Sequence, residues 1–553
     1  MRRGITRRSG LALTLLIVTS LTIPCLTWPA LAGPLACGDL AQLARPDLRI
    51  TRAEALPAGT LPADNPGRAA LTGAARAKAA LPAHCLVEGT IDPRTGAGGV
   101  AYGIGFQLRL PDAWNGRFLF QGGGGLDGVI GEALGAIPVS GATAAPGLLR
   151  GYAVASTDSG HRGRDNADAS FGLDQQARID FAYRAVGEVA REARALIASR
   201  YGRPPAHAYF MGCSNGGRSA LMAATRFPTA FDGIVAGAPA FRLTRAALGQ
   251  IWDMQAFLAA APKDQEGRPI LAEAFSEADL ALVAQSVLKA CDAADGLADG
   301  AVEAVSSCRF DPASLACPGD KNATCLGERQ VEALRRAFRG AEDGKGQPVY
   351  ASWPWDPGLA APGWRAWKLG TSKTATPNAR NATLGPAAIA NYFLTPPDPG
   401  FDALRFDFDR DPPRTAETAA LNDPTGTFLS TFTARGGRLL VYQGVADPVF
   451  SARDLVAHWQ ELARSNGGAA FSETARLFLV PGMTHCGGGP ALDDFDPLTA
   501  IEAWVERGEA PDRLLARGTA FPGRTRPLCP YPQEARYQGG EAERAESFAC
   551  QAP

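Results

Sequence analysis

An excess of charge is what this 553-residue chain lacks: 55 Lys and Arg stand against 56 Asp and Glu, a net of −1. Nothing in that balance attracts nucleic acid or an anionic membrane, so neither is expected as a partner. Zinc-site spacing is missing too, because no C-x-x-C pair and no cysteine–histidine cluster at zinc-ligand spacing occurs. No internal repeat or low-complexity tract stands out. Histidine is scarce, with five residues in all, so any imidazole chemistry must fall on one of five positions. Glycine and proline are plentiful, at 63 and 42. They suit a site built from loops on a rigid scaffold. At this length a single small core is insufficient, and a large domain with a substantial insertion is expected.

The N-terminus reads as a targeting segment. Arg2, Arg3, Arg7 and Arg8 precede an apolar run from Leu11 to Thr22, and Ala30-Leu31-Ala32 offers a small-x-small cleavage site. Residues 1–32 are therefore expected to be a signal peptide. The apolar run is short for a membrane span, and Pro24 and Pro29 interrupt its far end, so no stable anchor is expected. Secretion or a periplasmic location follows. Cleavage also removes Cys25 and leaves ten of the eleven cysteines, an even number that reads as a disulfide framework in an exported chain. Sequence does not determine connectivity. Proximity suggests Cys37–Cys85, Cys291–Cys308, Cys317–Cys325 and Cys529–Cys550, which leaves Cys213 and Cys486 for each other.

Strand-like patterns cover Val100–Leu110, Arg117–Gln121 and Tyr152–Thr157. Arg178–Tyr201 is alanine-rich with helical spacing, and Gly202-Arg203-Pro204 ends it. A buried strand at Ala208–Gly212, a helix from Gly217 to Phe227 and a strand at Ile234–Ala238 follow. The alternation returns late, with strands at Leu439–Gln443 and Leu477–Val480 and a closing helix at Leu498–Arg507. This order predicts an α/β fold with a mostly parallel sheet and helices on both faces. Residues 33–240 and 436–553 form the sheet domain in this reading. The irregular stretch 241–435, rich in Cys, Trp, Asp and Pro, reads as a lid inserted over the sheet's carboxyl edge.

Gly212-Cys213-Ser214-Asn215-Gly216 lies between the predicted strand and helix. A serine hydroxyl needs a base to act as a nucleophile, and small flanking residues permit the sharp turn that exposes it. The alternative is a glycine-rich turn that only lets helix and strand pack. Among the histidines, His84 and His161 lie early, His207 opens the strand before the elbow, and His458 sits within a helix from Ala452 to Ala463. His485 alone lies in a loop after a late strand, so it is the expected base. His161 reads as structural or pocket-lining.

The acid should fall between serine and histidine, and Asp447 follows the strand that ends near Gln443. A solvent-facing loop aspartate is the alternative; Asp493, Asp494 and Asp496 come after the histidine and fit poorly. An oxyanion hole requires two N–H donors. Asn215 would give one, and Gly125, with Gly124 in reserve, the other from Gln121-Gly122-Gly123-Gly124-Gly125.

Together these residues resemble the tannase and feruloyl esterase family of α/β-hydrolases, whose hallmark is a Cys-Ser, Asp, His-Cys arrangement. The resemblance spans essentially the whole mature chain. It implies an α/β-hydrolase fold with a large lid, a triad of Ser214, Asp447 and His485, and a Cys213–Cys486 bridge beside it. Trp114–Phe118, Gly233–Pro239, Phe406–Asp409 and Trp504–Asp512 are most similar to members that act on terephthalate monoesters. That likeness implies Arg380 as the carboxylate-binding residue of the lid, with Trp367, Leu243 and Phe450 against the substrate ring. Leu384 replaces an aromatic clamp and Gln443 a pocket histidine. Losing the aromatic clamp weakens ring contact by about 0.5–1.5 kcal/mol.

The loop Asp292–Ala301 spaces three carboxylates among glycines and differs from an EF-hand in spacing. By the same resemblance it holds structural Ca²⁺ through Asp292, Asp295 and Asp299 and the carbonyls of Leu297 and Ala301. An acidic surface turn is the alternative. The expectation is a monomeric, exported serine esterase acting on a small aromatic ester, with no redox or nucleotide cofactor. A ferulate or gallate esterase is the second reading, and a non-catalytic binding protein on a hydrolase scaffold the third.

Overall fold

In the computed structural model, which describes residues 33–59 and 80–553, nine strands form one sheet. The expected signal peptide lies outside the described residues. The strands are β1 (Leu48–Leu56), β2 (His84–Thr95), β3 (Ala101–Pro111), β4 (Arg117–Gln121) and β5 (Ala153–Thr157). They continue with β6 (His207–Cys213), β7 (Gly233–Gly237), β8 (Arg438–Gly444) and β9 (Ala475–Val480). Their order in the sheet is β1-β2-β3-β5-β4-β6-β7-β8-β9. Pairs from β5 through β9 are parallel, whereas β1, β2, β3 and β5 pair antiparallel.

The central strands read as unbroken apolar runs because both their faces are covered. Phe118, Phe120, Phe210, Ile234, Leu439 and Val441 face one side, where Val189, Leu196, Ala220, Leu455 and Trp459 of three helices meet them. Their neighbours Leu119, Tyr209, Met211, Val235, Leu440 and Tyr442 face the other, against Leu498, Ile501 and Trp504. The two-residue period of a strand thus feeds two separate cores. Parallel strands carry their loops at one edge, and the residues after β4, β6, β8 and β9 all emerge there.

Between β7 and β8 the chain adds no strand to this sheet. It forms a helical insert that includes Leu243–Ala260, Glu277–Cys291, Glu328–Arg339, Pro362–Lys368 and Arg380–Ala388. Leu248, Ile251, Phe257, Val283, Leu334 and Trp364 build its core, which continues into Leu126, Phe171, Phe181, Val449 and Phe450 of the sheet half. The insert is fused to the site loops by shared apolar packing.

Several details differ from the sequence reading. The helix after Ser214 begins at Asn215, two residues earlier than expected. The helix expected over Arg178–Tyr201 widens into a π turn at Asp180–Arg184 before continuing from Ala185. Two short two-stranded sheets close the C-terminus, Leu514–Ala516 with Arg526–Leu528 and Glu534–Tyr537 with Phe548–Gln551. The bridges are Cys37–Cys85, Cys213–Cys486, Cys291–Cys308, Cys317–Cys325 and Cys529–Cys550. Among the described residues, no helix is long and apolar enough to cross a membrane.

Candidate active site

Ser214 sits at the end of β6 with φ 62° and ψ −125°, a backbone conformation that side-chain-bearing residues rarely adopt. Its N–H donates to Gly237 O at 3.0 Å and its carbonyl accepts from Arg218 N at 2.9 Å. The glycines around it answer close approaches. A Cβ on Gly212 would lie 2.8 Å from the Gly216 carbonyl carbon, and one on Gly217 only 2.3 Å from Gly237 O. The motif's small residues are therefore required by main chain packed against main chain.

Three residues that are far apart in sequence converge at this edge. His485 Nε2 lies 2.9 Å from Ser214 Oγ, and its Nδ1 lies 2.9 Å from Asp447 Oδ2. A carboxylate only accepts, so Nδ1 carries the hydrogen and Nε2 is free to accept the serine proton. Asp447 is itself fixed: its Oδ1 accepts from Val449 N at 2.7 Å and Phe450 N at 3.1 Å. Both acid and base side chains are nearly sealed from solvent, 0% and 4% exposed.

The glycine run after β4 abuts the elbow. A Cβ on Gly122 would lie 2.8 Å from Gly216 Cα, and one on Gly216 2.6 Å from Gly123 O. Gly125 has φ 61°, and a Cβ there would meet Asn166 O at 2.4 Å, so only glycine fits. Asn215 opens its helix, where first-turn N–H groups have no helical acceptor.

On the insert side, the Trp367 ring meets His485 edge-on with centroids 5.4 Å apart. Phe450 approaches the same imidazole at 5.3 Å. The Arg380 guanidinium lies over the other part of this stack, 5.3 Å from the Trp367 ring, and burial lowers its pKa. Leu384 is half-buried one helical turn beyond Arg380. Leu243 is half-buried and follows the segment whose Ala240 N–H reaches Ser214 O at 3.2 Å.

Gln443 corrects the sequence reading. It was expected to line the substrate pocket, but it is wholly buried behind the acid. Its Nε2 donates to Asp447 Oδ2 at 3.0 Å and Phe450 O at 3.0 Å. It lies in β8 itself, so its side chain enters the core beneath the loop and braces the carboxylate. Asp356 is a residue that sequence reasoning missed. Its Oδ2 accepts from Gly482 N at 3.0 Å and its Oδ1 from Gly358 N at 2.7 Å, and burial raises its pKa to about 6. Gly358 in turn packs so closely that a Cβ would lie 2.4 Å from Ala446 Cβ and 2.6 Å from Gly482 O. The insert thus grips the acid loop and the base loop together.

The other histidines are engaged elsewhere. His84 Nδ1 lies 2.7 Å from Pro82 O, His161 stacks on Phe171 at 4.0 Å, His207 is half-buried beside Tyr209, and His458 stacks on Phe241 at 4.6 Å. Asp493 Oδ2 accepts from Gly488 N at 2.7 Å, and Asp494 and Asp496 bond to Thr143 and to the last helix's N-terminus.

In the acidic loop, Asp292 accepts from Asp299 N at 3.2 Å and Gly300 N at 2.9 Å. Asp299 faces Arg526 and Arg524. Asp295 Oδ1 accepts from Leu297 N at 2.9 Å, whereas its buried Oδ2 has no hydrogen-bond partner. Burial, with Asp299 and Asp292 nearby, raises the Asp295 pKa to about 6. Among the described residues, no group of three or more His, Cys, Asp or Glu side chains is arranged to hold a metal ion.

A mostly parallel sheet carrying Ser, Asp and His on the carboxyl-edge loops after β6, β8 and β9 defines an α/β-hydrolase. Residues 85–551 match the family described as tannase and feruloyl esterase, and the chain belongs to that family of carboxylic ester hydrolases. It is 42% identical to mono(2-hydroxyethyl) terephthalate hydrolase of Piscinibacter sakaiensis, over 86% of each chain. It is 30% identical to a probable feruloyl esterase of Arthroderma benhamiae, over 80% of this chain and 81% of that one. The solved structure of feruloyl esterase B from Aspergillus oryzae shares the fold. Its TM-score is 0.75 at 23% identity, over 92% of this chain and 98% of that one.

The Cys213–Cys486 bridge joins the neighbours of nucleophile and base across 273 residues. Loop-closure entropy for that span is worth at most about 5–6 kcal/mol. Replacing both cysteines by alanine is expected to lower Tm and to reduce kcat at least ~10-fold in the protein that still folds. Thermal unfolding and steady-state kinetics on the purified variant check this; full activity would show that the bridge does not hold His485 in place.

Proposed function

We propose that this protein hydrolyses esters of aromatic carboxylic acids that carry a second, free carboxylate, with terephthalate monoesters as the type. The observation that carries the reading is the stack Arg380–Trp367–His485. It places a desolvated cation one indole ring away from the catalytic base. In this reading a para-substituted benzene ring lies across Trp367, with its ester towards Ser214 and its free carboxylate towards the guanidinium. The relative named for a terephthalate monoester supports the same substrate class.

In this mechanism Ser214 Oγ attacks the ester carbonyl as His485 Nε2 takes its proton. The N–H groups of Asn215 and Gly125 receive the oxyanion. His485 then protonates the departing alcohol. A water molecule, deprotonated by the same nitrogen, releases the acid from the acyl-enzyme. Asp447 holds the imidazole tautomer and stabilises the imidazolium. Phe450, Leu243 and Leu384 make the apolar walls of the acid-binding site. The chain acts outside the cytoplasm, a reading supported by its disulfides, and as a monomer.

Although its three carboxylates are not gathered into a metal-binding cluster here, the acidic loop is proposed to bind Ca²⁺ through Asp292, Asp295, Asp299 and the carbonyls of Leu297 and Ala301. The buried, unpartnered Asp295 Oδ2 favours a cation, while Arg524 and Arg526 compete for Asp299. There the ion would supply charge neutralisation to the insert's loop, remote from the reacting atoms.

Ser214→Ala is expected to abolish turnover of every ester tested and to prevent labelling by a fluorophosphonate. Retained turnover would overturn the mechanism, and a wild-type protein that resists labelling would favour a non-catalytic binding role. Arg380→Ala should lower kcat/KM on a terephthalate monoester by ~10- to 100-fold, equivalent to about 1.4–2.8 kcal/mol, and spare the neutral dimethyl ester. Equal losses on both, or faster turnover of ferulate and gallate esters by wild type, would point to plant phenolic esters instead. Chelation of Ca²⁺ should lower Tm by several degrees and leave kcat per folded molecule unchanged, as read by calorimetry with and without added calcium. An unchanged Tm would remove calcium from the account.

A further inference from the structure

Behind the elbow lies a chain of buried polar groups with a fixed direction. Arg218 is wholly buried, and a guanidinium can only donate. One terminal nitrogen donates to Ala182 O at 2.6 Å and Asn422 O at 3.1 Å, and the other to Phe181 O at 2.9 Å. Two of these carbonyls belong to the π turn Asp180–Arg184, a widening found often at functional sites. Arg218 Nε donates to Asn215 Oδ1 at 2.6 Å. Because an N–H donor needs an accepting atom opposite it, the oxygen of Asn215 must face Arg218 and the amide has one possible orientation. Its NH₂ therefore points at Asp127, whose Oδ1 accepts at 2.5 Å. Asp127 Oδ2 accepts from Ser159 Oγ at 2.8 Å.

Asp127 lies two residues beyond Gly125 on the glycine loop. It is buried, its φ is 48°, and its N–H donates to Gly124 O at 3.1 Å. Its carboxylate folds back beneath the loop, so closely that a Cβ on Gly123 would lie 2.4 Å from Oδ2. The segments that carry Gly125 and Asn215 leave the adjacent strands β4 and β6 and pack together at Gly122, Gly123 and Gly216; Asp127 adds a side-chain link beyond that contact.

We propose that Asp127 is a positioning residue for the oxyanion hole: through the Asn215 side chain it fixes the glycine loop against the first turn of the nucleophile's helix. The two N–H donors then keep one separation throughout the reaction. Arg218 sets the polarity of the link and Asp127 ends it. The inference rests on the reading of Asn215 and Gly125 as the oxyanion donors. The required property of Asp127 is an accepting oxygen towards Asn215, not a charge. An asparagine can meet it, presenting Oδ1 to Asn215 and NH₂ to the Ser159 oxygen.

The test uses 4-nitrophenyl acetate, an ester too small to depend on Arg380. Asp127→Ala and Asn215→Ala should each lower kcat by ~10- to 100-fold, less than removal of a whole oxyanion donor. KM should stay within about twofold. Asp127→Asn should recover kcat to within ~5-fold of wild type. The Asp127→Ala/Asn215→Ala double variant should be no slower than either single, because both cut one link. A kcat unchanged in folded Asp127→Ala, losses that multiply in the double variant, or no recovery in Asp127→Asn would overturn the proposal. Should Asp127→Ala not fold, Asn215→Ala and Asp127→Asn decide together: the first keeps its main-chain N–H while losing its side-chain bonds to Asp127 and Arg218, and the second must stay near wild type. Fluorophosphonate labelling of Ser214 separates the two levels of inference. Unlabelled wild type refutes the serine mechanism itself, whereas wild type and variants labelled at equal rates refute only the positioning role.

Discussion

One backbone turn governs this structure: Ser214 is held at positive φ between β6 and the helix that follows. Such a conformation costs about 1–3 kcal/mol for a residue with a side chain, and it persists only where its surroundings over-determine it. Here they do. Gly212, Gly216 and Gly217 allow β6, the glycine loop and β7 to approach within the distance of a missing methyl group. Main-chain bonds to Gly237 and Ala240 hold both sides of the serine. Its two flanking residues are then committed to other tasks, Cys213 to a covalent bridge and Asn215 to a buried hydrogen-bond chain. Strain at one residue is balanced by packing and bonding at its neighbours.

The acid and base depend on a different support. Their loops leave neighbouring strands, β8 and β9, and neither would hold its side chain without help. Gln443 fixes the acid from within the sheet. The insert supplies the rest: Asp356 binds the base loop, Gly358 packs on both loops, and Trp367 stands edge-on to the imidazole. Tyr350 OH accepts from Ser451 N at 2.9 Å and so secures the chain just past the acid loop. The insert and the sheet half consequently share one core. A segment that reads in sequence as a cover over the site is also part of the frame that orders it.

What could be read from sequence follows from how local each signal is. β4, β6, β7 and β8 were legible because strands buried on both faces are continuous apolar runs. β1 was not, since Leu48–Leu56 is an edge strand with Arg49, Arg52 and Glu54 turned to solvent. The C-terminal strands are three or four residues long, below what a period can reveal. The triad was legible because chain order and the shortage of histidines left few choices. Gln443, Asp356 and Asp127 were misread or missed for a common reason. Their roles arise from burial and from partners across the fold; Asp356 reaches 126 residues to Gly482 and Asp127 reaches 88 to Asn215. Nothing adjacent in sequence marks such residues.

The Cys213–Cys486 bridge has a topological meaning beyond local bracing. It closes a covalent ring that contains the whole insert together with β7, β8 and β9. A protease cut anywhere in that ring opens the backbone but does not divide the molecule. After a cut in the insert, the piece bearing Ser214 and the piece bearing Asp447 and His485 stay tied by the bridge, and that covalent link is lost only under reduction. A cut within the insert therefore opens the chain without releasing the nucleophile from its base.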